Sequence, residues 1–188
     1  MALHKYIQLL EAIKPSIVIA TGPSGTGKTM HACNTGKKLV YSGRYQKVIL
    51  TRPAISSDEE LGFIPGTLDD KMKPWVQPSL EYLGRTPMEI CPLAYMRGRT
   101  FSNSWIIADE MQNSTKNQML MLLTRIGPGS KLVIIGDTEQ CDREGSKTDG
   151  LTDLIWRMQP GEEVESVALT DVKRHQVIKD ILSWYSSS

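Results

Sequence analysis

Cysteine is scarce in this chain of 188 residues, and Cys33, Cys91 and Cys141 lie far apart. An odd number at wide spacing builds neither a disulfide framework nor a structural zinc site, and it suits a reduced, intracellular protein. Histidine is equally sparse: His4, His31 and His175 are scattered, so imidazole adds no ligand cluster. No stretch approaches the ~20 apolar residues that cross a bilayer. The N-terminal apolar pattern is interrupted by Glu11 and Lys14, unlike a signal peptide. A soluble, cytoplasmic protein with no membrane partner is expected. Neither sign of charge dominates, since 22 basic residues face 21 acidic ones for a formal net charge of +1. That balance excludes a basic coat or an acidic tail but leaves room for a local basic patch. Internal repeats are absent, and the only biased segment is the serine tail, with 185–188 expected to fray.

What remains is a chain long enough for one domain with a sizeable core. Tyr6 to Ile13 reads as a short amphipathic helix ended by Pro15, and Ile17-Val18-Ile19-Ala20 as a buried strand. A glycine-rich loop follows, then a helix from Lys28 to about Tyr41 and a second strand at Lys47–Thr51. From Ala54 to Arg85 the prolines at 65, 74 and 78 and the glycines at 62, 66 and 84 predict loops and short helices. One of those helices is expected around Asp69 to Val76, and 54–90 as a whole reads as a loop-rich insertion beside the site. Further strands are expected at Glu89–Leu93, Trp105–Ala108, Lys131–Ile135 and, as an edge strand, Val164–Leu169. Helices are expected at Thr115–Ile126, Leu151–Met158 and Val177–Trp184. Short apolar strands alternating with helices predict an α/β fold with a mostly parallel central sheet and helices on both faces.

Gly22-Pro23-Ser24-Gly25-Thr26-Gly27-Lys28-Thr29 satisfies every fixed position of the Walker A pattern, and it lies between a predicted strand and a predicted helix. Glycines let successive backbone N–H groups face phosphate oxygens, and the new helix adds its unpaired donors. Lys28 is then expected at the β- and γ-phosphates of ATP, with the Thr29 hydroxyl on Mg2+. The strand Trp105–Ala108 ends in Asp109-Glu110, placing one acid for the magnesium shell and one to activate water. An acid pair of this kind also occurs at ordinary helix starts. Gly136-Asp137-Thr138-Glu139-Gln140 follows the next strand, where the Gln140 amide can bond both a γ-phosphate and the lytic water, or be a plain surface glutamine. Arg52, Arg97, Arg99, Arg125, Arg143 and Arg174 all sit near predicted element ends. Arg97-Gly98-Arg99 is the densest pair and suits a nucleic-acid backbone, whereas Trp75, Tyr82 and Trp184 read as packing residues.

Together these residues resemble the PhoH-like family, P-loop ATPases related to the core of superfamily 1 helicases, and in particular its short, phage-borne members. The resemblance spans about residues 17 to 182. It rests on Leu50-Thr51-Arg52-Pro53-Ala54, Glu60-Leu61-Gly62-Phe63-Ile64-Pro65-Gly66, Pro92 to Thr100 with its Tyr95-Met96-Arg97-Gly98-Arg99, Asp109 to Asn113, Leu123 to Gly127, Gly136 to Gln140, and Asp171-Val172-Lys173-Arg174-His175. It implies a single RecA-like domain over 1–188 with its core at about 15–182. By that resemblance Lys28, Glu110, Gln140 and Arg174 are catalytic, with Gln140 as γ-phosphate sensor and Arg174 as arginine finger; Thr29 and Asp109 hold the metal. It also implies a homo-oligomer, a hexameric ring, acting on single-stranded RNA or beside a ribonuclease. The chain departs from the family at Cys141-Asp142-Arg143-Glu144, where a proline is common. An adenine-contacting glutamine is not clearly placed, Gln8 being nearest.

A non-motor nucleotide switch that assembles with a protein partner is the alternative to an RNA-coupled ATPase. A small-molecule kinase would need an acceptor lid and a substrate base, and neither is recognisable.

Overall fold

Alternating side chains along six short strands decide how the chain layers. The computed structural model describes residues 1–53, 68–139, 149–159 and 161–172, with the backbone alone for 68–75. Among them the elements run α1 (Ala2–Glu11), β1 (Ile17–Thr21), α2 (Lys28–Tyr41), β2 (Lys47–Thr51), α3 (Leu68–Leu83), β3 (Met88–Ile90), β4 (Ser104–Ala108), α4 (Lys116–Leu123), β5 (Lys131–Gly136), α5 (Gly150–Arg157) and β6 (Val164–Ala168), with 3-10 turns at Leu93–Met96 and Met111–Asn113. The strands form one sheet in the order β3-β2-β4-β5-β1-β6. Every pairing is parallel. Parallel strands need crossover connections, and helices on both faces cover the apolar side chains.

Register makes the two faces explicit. Leu50, Ile107 and Val133 are lateral partners across β2, β4 and β5, and Val133 pairs with Val18 of β1. All four join Tyr6, Leu10, Ala32, Cys33 and Leu83 in the core beneath α1, α2 and α3. Their neighbours one residue along, Ile19, Ile49, Ile106 and Ile134, turn to the opposite core with Met119, Leu122 and Leu151 from α4 and α5. A one-residue slip in any strand would exchange the faces.

Three contacts fix the helices over the sheet. Trp105 is fully buried, and its indole Nε1 donates to Ala32 O at 3.1 Å. A Cβ on Gly36 would stand 2.4 Å from the Trp105 ring, so only glycine lets α2 lie this close to β4. The Tyr6 hydroxyl donates to Lys28 O at 3.0 Å, tying α1 to the first turn of α2. Lys131, 0% exposed, donates to Leu9 O at 2.6 Å and Ala12 O at 2.9 Å and so satisfies the open carbonyl end of α1.

Three expected elements change their bounds. The helix foreseen around Asp69 to Val76 is a 16-residue element that runs on through Pro74 and Pro78 to Leu83. Each proline removes a helical N–H, yet Val76, Ser79 and Leu83 are buried on one face of the helix, and packing outweighs propensity. The third strand stops at Ile90, two residues before Pro92, which has no N–H for the ladder. The helix expected over Thr115–Ile126 covers Lys116–Leu123. Thr115 is its N-cap in a reciprocal capping box with Gln118. The expected helix Val177–Trp184, the tail and the segment 54–67 lie outside the described residues.

Candidate functional site

β1 and β5 are neighbours in the sheet, yet α2 after β1 packs on one face and α5 after β5 on the other. Loops leaving the carboxyl ends of such strands diverge and open a crevice. The Gly22–Thr29 segment leaves β1 at this point, and its glycines 22, 25 and 27 all take positive φ. Gly22 carries the strictest demand, because at φ 131° a Cβ would meet Leu169 O at 1.9 Å. The cleft above is walled by Ser24, Gly25, Lys28 and Thr29 from this loop, Asp109 and Glu110 from the exit of β4, and Gly136 and Asp137 from the exit of β5. Arg52 enters from β2, and Pro78, Ser79 and Tyr82 from α3.

Lys28 is buried, and its ammonium donates to Gly22 O, to Pro23 O at 2.9 Å and to Thr26 Oγ1 at 3.3 Å. Burial lowers its pKa, while the charges of Asp137, Asp109 and Glu110 work the other way. The Thr29 hydroxyl donates to Asp109 Oδ2 at 2.9 Å, across 80 residues of chain. Asp109 Oδ1 accepts from Glu110 N at 3.0 Å. Burial raises the Asp109 pKa and the Glu110 charge adds to the rise, with the Thr29 hydrogen bond opposing both. Thus α2 and the end of β4 offer a hydroxyl and a carboxylate side by side, an all-oxygen pair of the type that suits a hard divalent cation. The cradle of positive-φ glycines, the adjacent ammonium and this oxygen pair fit a magnesium-bound triphosphate.

Glu110 takes φ 54°, left-handed backbone that costs a non-glycine residue ~1–3 kcal/mol. Its carboxylate is not loose: Gln112 Nε2 donates to Glu110 Oε2 at 2.5 Å. The other end of the same amide, Gln112 Oε1, accepts from Asp137 N at 3.1 Å. A single buried side chain therefore bridges the exits of β4 and β5. In the sequence Gln112 stands only inside the block Asp109 to Asn113. Its burial two residues beyond an acid pair becomes visible once the sheet order places β4 beside β5.

The expected residues divide clearly. Ser24, Gly25, Gly27, Lys28 and Thr29 of the loop line one cleft with Asp109 and Glu110, while Gly22, Pro23 and Thr26 are not among the described residues of its wall. Gln140, Arg143 and Arg174 lie outside the described residues. Arg52 reaches the cleft, but Arg99 is drawn away to Glu89 at 2.5 Å, and Arg97 and Arg125 line a different groove. Gln8 is exposed on α1 and is not among the described residues that line the cleft. Tyr82, expected to pack, is 37% exposed and forms part of the wall.

Comparison with known proteins fits this geometry. The PhoH-like protein family model matches residues 2–186. A PhoH-like protein of Mycobacterium bovis is 36% identical over 197 residues, covering 97% of this chain and 55% of the relative. A PhoH-like protein of Bacillus subtilis is 36% identical over 200 residues, covering 98% and 62%. Protein PhoH of Escherichia coli K12 is 36% identical over 175 residues, covering 85% and 49%. The chain thus spans about half to three-fifths of the length of these relatives. Among solved structures, the Pif1 helicase of Candida albicans superposes with a TM-score of 0.50 at 17% identity, over 97% of this chain and 42% of the helicase, which shows a shared fold. On the family match across nearly its whole length, the chain belongs to the PhoH-like family.

Proposed function

We propose that the chain binds ATP with magnesium in the cleft over β1, β4 and β5 and hydrolyses it to ADP and phosphate. The observation that carries this reading is the 2.9 Å contact between Thr29 and Asp109, which joins the glycine loop to the acid pair. The backbone donors of residues 22–29 grip phosphate oxygens, and Lys28 turns its ammonium from the loop carbonyls to the same oxygens. Thr29 and Asp109 hold the metal, which when bound neutralises charge on the transferring phosphoryl group. Glu110 orients the attacking water and takes its proton on the carboxylate that Gln112 steadies. Gln140 as γ-phosphate sensor and Arg174 as arginine finger rest on family resemblance.

The charges of the wall support dependence on a cation. Lys28 and Arg52 stand against Asp109, Glu110 and Asp137, so the described lining carries two cations and three carboxylates. A bare triphosphate meets repulsion there that a divalent ion relieves.

Coupling of turnover to single-stranded RNA, in a homo-oligomeric ring or beside a ribonuclease, is the wider reading that the resemblance supports. Glu110→Gln tests the chemistry. Turnover is expected to fall by ~10²–10⁴, the range of a general base, with ATP-analogue affinity retained. Undiminished hydrolysis by this variant removes Glu110 from the mechanism.

A further inference from the structure

The arginines on the α4 side of the sheet are used in two different ways. Arg99 is held in the fold: its guanidinium pairs with Glu89 at 2.5 Å, donates to Cys91 Sγ at 3.2 Å and lies 4.6 Å from the Phe101 ring centre. Arg97 is exposed and has no hydrogen bond or ion pair with any described residue. Arg125 donates to Met121 O at 3.3 Å, Arg99 O at 3.1 Å and Thr124 Oγ1 at 3.0 Å. All three acceptors are neutral, so its charge is oriented but not cancelled.

Arg97 and Arg125 line one open groove between the 3-10 turn Leu93–Met96 and α4, together with Gly98, Asn117, Gln118 and Thr124. No carboxylate is among the described residues that line it. Acids on flanking elements are already neutralised: Glu89 by Lys47 and Arg99, and Asp153 by Lys116 and Arg157. The groove is therefore a local basic patch on a chain with almost no net charge. It also exposes apolar surface, with Leu120 of α4 63% exposed within it and Tyr95 of the adjoining turn 59% exposed. At Gly98, with φ 79°, a Cβ would meet nothing within 4 Å, so the backbone there is open to close approach.

We propose that this groove binds single-stranded nucleic acid. Guanidiniums suit a phosphate backbone, the amides and the hydroxyl add hydrogen bonds, and Tyr95 with Leu120 offers flat apolar surface to base faces. An acidic peptide would satisfy the arginines but gain little from an exposed aromatic ring. The groove is also mechanically joined to the cleft. Its floor, α4, begins at Lys116, after the short turn in which Gln112 holds both Glu110 and Asp137 N. Ser114 O, just before the cap, accepts from Gly150 N at 2.8 Å and fixes α5 to the same turn. A strand lying on α4 thus acts on the residues that hold Glu110. This second step rests on the hydrolysis reading above, whereas binding in the groove stands without it.

The test is a fluorescence-anisotropy titration of labelled oligouridine, with an oligodeoxythymidine of equal length in parallel, on wild type, Arg97→Glu and Tyr95→Ala. ATP-analogue uptake and thermal midpoint are measured on each. Arg97→Glu is expected to weaken oligonucleotide affinity tenfold or more and to flatten the salt dependence by about one unit of slope. Tyr95→Ala is expected to weaken it about fivefold or more, as the loss of one stacking contact. Analogue uptake and thermal midpoint stay at wild-type values in both. RNA-selective loss identifies RNA as the occupant, and equal loss identifies either strand chemistry. Wild-type oligonucleotide affinity in Arg97→Glu overturns the proposal. So does a wild type that takes up the analogue but no oligonucleotide, which leaves the hydrolysis reading intact. A change confined to the oligomeric mass of Arg97→Glu assigns the groove to contacts between copies and equally overturns it.

Discussion

The loop after β1 and the turn after β4 face each other across one cleft, but they are held by different means. The loop is largely self-contained: positive-φ glycines shape it, and its own carbonyls receive the Lys28 ammonium. The turn depends on distant partners. Asp109 is positioned by Thr29 of α2, and Glu110 by a Gln112 that must also reach Asp137 at the exit of β5. The geometry of the loop is thus encoded over eight consecutive residues, while that of the turn requires three strands to be in register.

The sharpest disturbance of the join between the two halves is Gly36→Ala. Its Cβ, 2.4 Å from the Trp105 ring, has to push α2 off β4. A loss of ~1–3 kcal/mol in unfolding free energy is expected, as for other overpacked cores. Denaturant melts measure it, and wild-type stability would show that α2 has slack at this crossing. Gln112→Ala separates the halves more selectively. It frees the Glu110 carboxylate and leaves Asp137 N without its acceptor. Turnover is expected to fall about tenfold, equivalent to ~1.4 kcal/mol, with analogue affinity changed less than twofold. Equal losses in both would mean that the halves are not separable.

A pH-dependent effect concerns the carbonyl end of α1, the helix that Tyr6 ties to Lys28. Burial lowers the Lys131 pKa to about 8, from an ordinary lysine value of 10.5, while the lysine holds the end of α1. A lysine with a depressed folded pKa costs stability while both states are protonated, and the cost is relieved as pH rises from about 8 to about 10.5. Wild type is therefore expected to gain stability relative to Lys131→Met over that window, by at most ~1.4 kcal/mol per pH unit. Parallel pH profiles of the two proteins contradict the assignment.

The same contrast explains what could be read before the fold was known. The glycine loop between β1 and α2 was legible because its geometry is local: glycine spacing, a strand before it and a helix after it. The strands were legible from their apolar runs, and the start of α4 close to Thr115 was legible too. The length of α3 was not, since Pro74 and Pro78 speak against a helix that only burial of Val76, Ser79 and Leu83 sustains. Nor was the separation of Arg97 from Arg99. Two residues apart, they read as one basic pair until Glu89 and Cys91 take the second into the fold. Gln112 was hidden for the same reason, because its partner at residue 137 is adjacent only through the sheet order.

The most direct measurement is a calorimetric titration of a non-hydrolysable ATP analogue into wild type and Lys28→Ala, with and without magnesium. Uptake by the wild type is expected in magnesium, weakened at least about tenfold without it, since the described lining has more carboxylates than cations. Lys28→Ala is expected to lose most of that uptake while keeping its fold. No uptake by folded wild type in magnesium, or equal uptake by both proteins, would contradict the account.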